Sequence, residues 1–183
     1  MEEAANAAKV VVSGVRADQF GAPTPCTEFD VRALLGHLID MAAMSQQAAV
    51  KAAEPQIPPF TGDDPAGEFG RRIDAAVRDW GGPEAMEGST TMGLPDMPAE
   101  MAATMTLVDL VMHGWDLASA TGQRLACEPA AAATVLAFLE KMGDTGRGFG
   151  IFAAVVPVPP DAPDLDRALA LSGRDPSWTP PAG

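Results

Sequence analysis

Residues 98–122 read PAEMAATMTLVDLVMHGWDLASATG, and this stretch decides the fold. It predicts one long helix, opened by Asp96 and Pro98 and stopped after Thr121 by Gly122. Apolar side chains recur on nearly every side of this helix. A helix that is apolar all round is buried among others. The sequence therefore predicts a bundle with this segment inside it.

Further helices are predicted on both sides of this segment from caps and from apolar residues at helical spacing. Their predicted ranges are 2–14, 31–53 after the N-cap Asp30, 65–80 after Asp64, 129–142 and 165–171. The segment 54–59 is expected to end the second of these helices, because it contains three prolines. Residues 90–92 are a candidate strand and 151–157 are expected to be extended. The pattern as a whole predicts a mainly α-helical fold, a bundle of at least four helices.

The length of 183 residues is typical of one domain with a sizeable core. We therefore expect a single domain over residues 1–183, with residues 176–183 as a flexible, proline-rich tail.

Composition excludes several classes of partner. The chain has 12 basic and 25 acidic residues and a formal net charge of −13, which argues against nucleic acid and anionic membranes. No apolar run is long enough for a membrane span, and the acidic start lacks the pattern of a secretion signal. Cys26 and Cys127 are too few and too far apart for a disulfide framework. We expect a reduced, cytoplasmic protein.

The two histidines of the chain, His37 and His113, both lie in apolar helical segments. Asp109 and Asp116 fall on the same narrow sector of the long helix as His113. Leaving such polar groups buried without partners would cost several kcal/mol. A divalent metal shared by His37, Asp109 and His113 would satisfy them.

Two imidazoles and one carboxylate are a familiar ligand set for Zn²⁺, and three protein ligands leave a position for water or substrate. Alternatives remain open at this point. Asp109 and His113 can form a simple ion pair without metal, and Asp116 can bond to its surroundings or orient His113. A thiol ligand from Cys26 is less favoured, because this cysteine lies in a proline-rich loop.

The sequence also resembles a known family. The stretches that carry the resemblance are Pro23–Leu38 (PTPCTEFDVRALLGHL), Asp109–Gly122 (DLVMHGWDLASATG), Val156–Pro159 with Ala162–Arg167, and Gly173–Pro176. Together they resemble the mycothiol-dependent maleylpyruvate isomerase-like metal-binding proteins, which belong to the DinB-like superfamily of four-helix bundles. The resemblance spans most of the chain in order.

This resemblance implies a bundle with an up-down-down-up arrangement of helices. It implies one ligand histidine on the second helix and a carboxylate-x-x-x-His pair on a later one, which here are His37, Asp109 and His113. The isomerase has glutamate where this chain has Asp109, and aspartate is one methylene shorter. The metal is expected to be zinc, with nickel, manganese and iron as alternatives.

The resemblance further implies a thiol-dependent isomerase or S-transferase, in which the metal binds a low-molecular-weight thiol such as mycothiol or bacillithiol as its thiolate. A small-molecule substrate and a homodimer are the other expected partners. A dicarboxylate substrate such as maleylpyruvate would need cations, for which the candidates are Arg16, Arg32, Arg71, Arg72 and Arg78. The alternative is a metal- or ligand-binding module without catalysis, with a regulatory role.

Overall fold

The computed structural model describes residues 1–53, 56–57, 60–93 and 96–181, and most of these residues are helical. The helices are α1 (Glu2–Ser13), α2 (Val31–Ala49), α3 (Pro65–Trp80), α4 (Ala99–Thr121), α5 (Pro129–Gly148) and α6 (Asp164–Leu171), with a 3₁₀ turn at Ala17–Gln19. Two short strands, β1 (Ser89–Thr90) and β2 (Met97–Pro98), pair antiparallel, with Ser89 opposite Pro98. The predicted mainly α-helical fold is confirmed.

The helix boundaries follow from local chemistry at the predicted positions. Asp30 caps α2 by accepting a 2.8 Å hydrogen bond from the backbone N–H of Ala33. Asp64 caps α3 in the same way, and Pro65 occupies its first turn. Gly122 ends α4 in the left-handed region, at φ 71°.

The predicted second helix is too long, because α2 ends at Ala49 rather than at residue 53. Lys51 turns the chain out of the helix at φ 51°. Its ammonium group is held 2.6 Å from the carbonyl of Glu84, which fixes this exit against the loop after α3. Residues 54–55 and 58–59, part of the expected helix stop, lie outside the described residues.

The predicted fifth helix is too short, because α5 continues from residue 142 through Gly148. Glycine costs about 1 kcal/mol within a helix relative to alanine, but two of the glycines here are buried. A Cβ at Gly146 would collide with the ring of Phe152, so this glycine lets the ring pack against the helix. Residues 151–157 form no strand and bond instead to the end of α6, through Ala153 and Val156.

The first four helices form a closed ring around the core. α2 packs against α3 and α4, and α1 packs against the same two helices from the other side. α5 lies against α4, and α6 lies against α5. The largest fully buried side chains come from all four helices of the ring, and include Val11, Leu34, Leu38, Ile39, Phe69, Ile73, Leu110 and Leu117.

Contacts between neighbouring helices give their directions. The pairs are His37–His113 and Ser45–Thr106 for α2 and α4, Asp40–Arg72 and Gln46–Asp79 for α2 and α3, and Ala8–Gly114 and Val11–Gln123 for α1 and the end of α4. In the contacts between α2 and α4, the residue numbers rise along one helix as they fall along the other. In the contacts of α2 with α3 and of α1 with α4, they rise together. α2 is therefore antiparallel to α4 and parallel to α3, while α1 is parallel to α4. This is the expected up-down-down-up arrangement.

A buried polar cluster joins three of these helices. Ser45 of α2 and Thr106 of α4 share a 2.7 Å hydrogen bond, and both are 0% exposed. Trp80 of α3 donates its indole N–H to Ser45 at 2.9 Å. Each buried polar atom of this cluster thus has a partner, so the cluster fixes α2, α3 and α4 relative to one another.

Within the described ranges, none of the helices combines the length and the apolar character that crossing a bilayer requires.

Candidate metal centre

The bundle brings together the three predicted ligand residues. His37 of α2 faces His113 of α4, with ring centroids 4.7 Å apart at an interplanar angle of 79°. One possible ligand atom from each of His37, Asp109 and His113 lies within 4.8 Å of the others. Asp109 and His113 are one helical turn apart and so share a face of α4. Two antiparallel helices thus converge on a point that three side chains can reach.

His37 has an unusual environment for a polar side chain. Its Nε2 is buried and has no hydrogen-bond partner among the described residues. Burial, and secondarily the nearby His113, lower the pKa of His37 from 6.5 to about 4. The imidazole is therefore neutral at pH 7 and keeps a lone pair that can bind a metal. An orphaned buried nitrogen costs about 1–3 kcal/mol, and a divalent cation would satisfy it.

The loop before α2 shapes one wall of the centre. Phe29 stacks on the ring of His37 at 5.1 Å and meets the edge of His113 at 6.3 Å. Thr24 holds this loop by donating its hydroxyl to the carbonyls of Cys26 and Phe29. The aromatic wall lowers the local polarity, which strengthens any charge interaction inside the centre.

The side chain of Asp109 is 29% exposed, against 12% for His113. Its Oδ1 lies 3.9 Å from Nε2 of His113, beyond hydrogen-bonding distance. Burial raises the pKa of Asp109, and the charges of His113 and Arg174 partly oppose this rise. The gap between Oδ1 and Nε2 fits two groups that bind a common ion better than a direct hydrogen bond.

His113 is oriented from behind by Asp116 and Arg174. Its Nδ1 lies 3.0 Å from Oδ2 of Asp116, and Arg174 donates from Nε and Nη2 to the two oxygens of that carboxylate, each at 2.8 Å. Burial alone would raise the pKa of Asp116, but the hydrogen bonds from His113 and Arg174 hold it below its usual value. Asp116 is thus an ionised acceptor beside Nδ1 of His113, while Nε2 of His113 lies on the side of Asp109.

A second group of potential ligand atoms, from Cys26, His113 and Asp116, also lies within 4.8 Å. The carboxylate of Asp116 is already bonded to Arg174 and His113, so this group does not offer three free ligands. Burial raises the pKa of the Cys26 thiol, and the charge of Arg174 partly opposes this rise. Cys26 therefore lies beside the centre as a neutral thiol, closer to it than its proline-rich loop led us to expect.

The arginines considered for a dicarboxylate substrate are engaged elsewhere. Arg16 pairs with Asp18, Arg71 and Arg72 pair with Glu68, Arg78 pairs with Asp79, and Arg32 lies over the ring of Phe20. The arginine that does reach the centre is Arg174, to which sequence reasoning assigned no role. Its motif, Gly173–Pro176, was part of the family resemblance, but its contact with Asp116 spans 58 residues of chain and has no local periodic signal.

A divalent cation fits this donor set. Two imidazole nitrogens and one carboxylate oxygen suit zinc and other first-row divalent ions, and the hydrogen bond between His113 and Asp116 is the outer contact that metal-binding histidines usually make.

Comparisons with known proteins agree with this architecture. The chain is 31% identical over 175 residues to two uncharacterized proteins of Mycobacterium tuberculosis, from strains CDC 1551 / Oshkosh and ATCC 25618 / H37Rv, and each alignment covers 94% of both chains. No solved structure matches it significantly. Residues 1–118 match the model of the mycothiol maleylpyruvate isomerase N-terminal domain. The chain therefore belongs to this DinB-like family.

Proposed function

We propose that His37, Asp109 and His113 bind one divalent metal ion, with zinc as the preferred metal. The observation that carries this proposal is the buried Nε2 of His37, which has no hydrogen-bond partner among the described residues. His37 also belongs to a group of three residues whose ligand atoms lie within 4.8 Å of one another. Nickel, manganese and iron remain alternatives, since all accept imidazole and carboxylate ligands.

We further propose that the protein is a thiol-dependent isomerase or S-transferase that uses mycothiol or a similar low-molecular-weight thiol. Zinc, when bound, supplies a position at which such a thiol is deprotonated at neutral pH. Histidine binds a metal as the neutral imidazole, so Asp109 is the one anionic ligand of the proposed set and the site keeps a net positive charge for a thiolate. The partial exposure of Asp109 leaves a solvent side from which a thiol can enter.

The proposed substrate is an electrophilic small molecule, not specifically a dicarboxylate. The guanidinium of Arg174 is already bonded to the carboxylate of Asp116. The arginines that the sequence suggested for a dicarboxylate make their contacts outside the centre. Because the cosubstrate is a reduced thiol, the proposed reaction belongs to the cytoplasm. That residues 1–183 form a single domain stays a prediction, which limited proteolysis tests. That the protein is a homodimer also stays a prediction, which analytical ultracentrifugation tests.

Metal content tests the ligand assignment. Wild-type protein purified without added metal, and then given zinc and desalted, should retain close to one zinc per chain. His37→Gln, His113→Gln and Asp109→Asn should each lose most of it. Glu100→Gln is the matched control, because Glu100 is an exposed acid in the first turn of the same helix as Asp109. Equal zinc retention in the wild type and the two histidine variants would refute the assignment.

One observation favours a second candidate function, a closed and non-catalytic metal site. The Sγ atom of Cys26 lies within 4.8 Å of a nitrogen of His113, so the chain's own thiol lies next to one of the proposed ligand residues. Three protein ligands plus water are typical of catalytic zinc, whereas four protein ligands are typical of structural zinc.

Cobalt substitution separates the two functions. A sulfur-to-cobalt charge-transfer band that appears only after a low-molecular-weight thiol is added supports the thiol-dependent enzyme. A band that is present before addition and disappears in Cys26→Ala supports the closed site. Addition of the corresponding disulfide, which has no thiol to ionise, is the control.

A further inference from the structure

His113 is bonded to Asp116, and Asp116 is bonded to Arg174. Of these three residues, Arg174 lies outside the part of the chain that the family model matches. Arg174 follows α6, whereas the family match ends at residue 118. Arg174 is 8% exposed and Asp116 is 0% exposed. A buried arginine that donates through both prongs of its guanidinium to one carboxylate holds that carboxylate in a single orientation.

The end of α6 is built to present Arg174 inward. Gly173 has φ 88°, and a Cβ there would collide with Ala153. The backbone N–H of Arg174 donates to the carbonyl of Leu169 at 2.9 Å, which closes the helix end. A third guanidinium nitrogen, Nη1, donates to the hydroxyl of Ser172 at 3.1 Å. Backbone and side chain therefore both fix the direction of the guanidinium.

We propose that Arg174 is a positioning residue which, by clamping Asp116, fixes the tautomer and the orientation of His113 as a metal ligand. This inference rests on the metal site proposed above. A clamped carboxylate accepts Nδ1–H of His113, so Nε2 carries the lone pair toward the ligand group. Without the clamp, Asp116 is free to rotate and His113 to adopt the other tautomer. The C-terminal segment thereby completes a centre whose ligands all lie in the N-terminal match.

The first test measures zinc affinity by competition with a chelator. Outer contacts of this kind change metal affinity by about 10–100-fold, and Arg174→Gln should weaken binding by an amount in this range. Arg174→Lys keeps the charge but loses the two-pronged contact, so it should lie between this variant and the wild type. Arg147→Gln is the matched control, because Arg147 also anchors the end of α6, through the carbonyl of Leu171 at 2.7 Å. It should bind zinc as the wild type does.

The second test reads the tautomer directly, in the metal-free protein, by ¹⁵N NMR of the imidazole of His113. Wild-type His113 should be the Nδ1–H tautomer, and Arg174→Gln should shift it toward a mixture, while Arg147→Gln should leave it unchanged. This readout needs neither metal nor activity, and a purely structural role of Arg174 would not move it.

The outcomes separate this inference from the proposed function. A wild type that binds no zinc refutes the metal site, while the NMR comparison still decides whether Arg174 governs His113. Unchanged affinity and tautomer in folded Arg174→Gln overturn the inference, as do equal losses in Arg147→Gln. If Arg174→Gln does not fold, Arg174→Lys and the wild-type spectrum decide, and an Nε2–H tautomer in the wild type contradicts the proposal.

Discussion

At the scale of single residues, the two histidines are held in opposite ways. His113 is hydrogen-bonded to Asp116, whereas Nε2 of His37 is buried and has no partner in the described part of the chain. The sequence predicted that both would face the bundle interior, because both lie among apolar residues at helical spacing. It could not show which of them would be satisfied by protein. The partner of His113, Asp116, lies three residues along the same helix, but the arginine that holds Asp116 in place lies 58 residues further along the chain.

Nε2 of His37 has no partner among the described residues. Replacing His37 should therefore change the stability of the protein in opposite directions without zinc and with zinc. Metal-free His37→Leu should be at least as stable as metal-free wild type, because leucine removes an unsatisfied nitrogen that costs about 1–3 kcal/mol. With saturating zinc the order should reverse, since only the wild type gains binding energy. Urea unfolding of both proteins, with and without zinc, measures this. A large loss of stability in metal-free His37→Leu would show that the imidazole has a structural partner.

The low pKa of His37 predicts a pH dependence in the metal-free protein. The folded pKa is about 4, against 6.5 for an unperturbed histidine, so between these values the unfolded chain binds the proton and the folded chain does not. Stability contributed by neutral His37 is therefore present above pH 6.5 and lost as the pH falls toward 4. The wild type should lose more stability over this window than His37→Leu. Parallel curves for the two proteins, from urea unfolding at each pH, would contradict the prediction.

At the scale of helices, predictability follows how local the determining contact is. The starts of α2 and α3 were predictable because Asp30 and Asp64 cap within three residues of themselves. The length of α5 was not predictable, because it depends on Phe152 in the following segment, whose ring packs against the helix where Gly146 has no Cβ. Arg174 was missed for the same reason, since its partner lies in another helix.

The end of α6 predicts the effect of one methyl group. Gly173→Ala forces alanine into a left-handed conformation and against Ala153, which should cost about 1–3 kcal/mol. It should also weaken zinc binding, because Arg174 is the next residue. Thermal unfolding and chelator competition measure the two effects.

Gly148→Ala is the matched control for this substitution. Gly148 lies at the end of α5 with a negative φ and open space around its Cα, so alanine there should be neutral or slightly stabilising. If Gly173→Ala lowered stability but left zinc affinity unchanged, the link between the end of α6 and the centre would be disproved.

At the scale of the whole molecule, the centre connects parts that are distant in the chain. It draws on α2, α4 and the residues after α6, while α3 contributes none of its groups. Long apolar helices with strong caps made the bundle predictable from sequence. The way the C-terminal segment closes on α4 was not predictable, because the buried ion pair between Asp116 and Arg174 joins residues 58 positions apart in the chain.

This connection predicts where zinc slows hydrogen exchange. Bound zinc stabilises the folded state by about 2.7 kcal/mol at a free concentration about 100 times Kd. Extra protection should appear in α2, in α4 and in residues 172–178, and less in the first turns of α3. Mass spectrometry of exchange with and without zinc measures this, with His113→Gln as the control. Protection spread evenly over all helices, or confined to α4, would contradict the coupling.

The hydrogen bond between Ser45 and Thr106 has a consequence for the accuracy of the centre. It lies eight residues along α2 from His37, or about 12 Å at 1.5 Å per residue, and touches none of the ligand candidates. If α2 slid along α4 by one residue, this buried bond between the two hydroxyl groups would break. The hydrogen bond between Ser45 and Thr106 therefore fixes the register of α2 against α4. It keeps the two imidazoles at the same level along the bundle, whether or not an ion is bound between them.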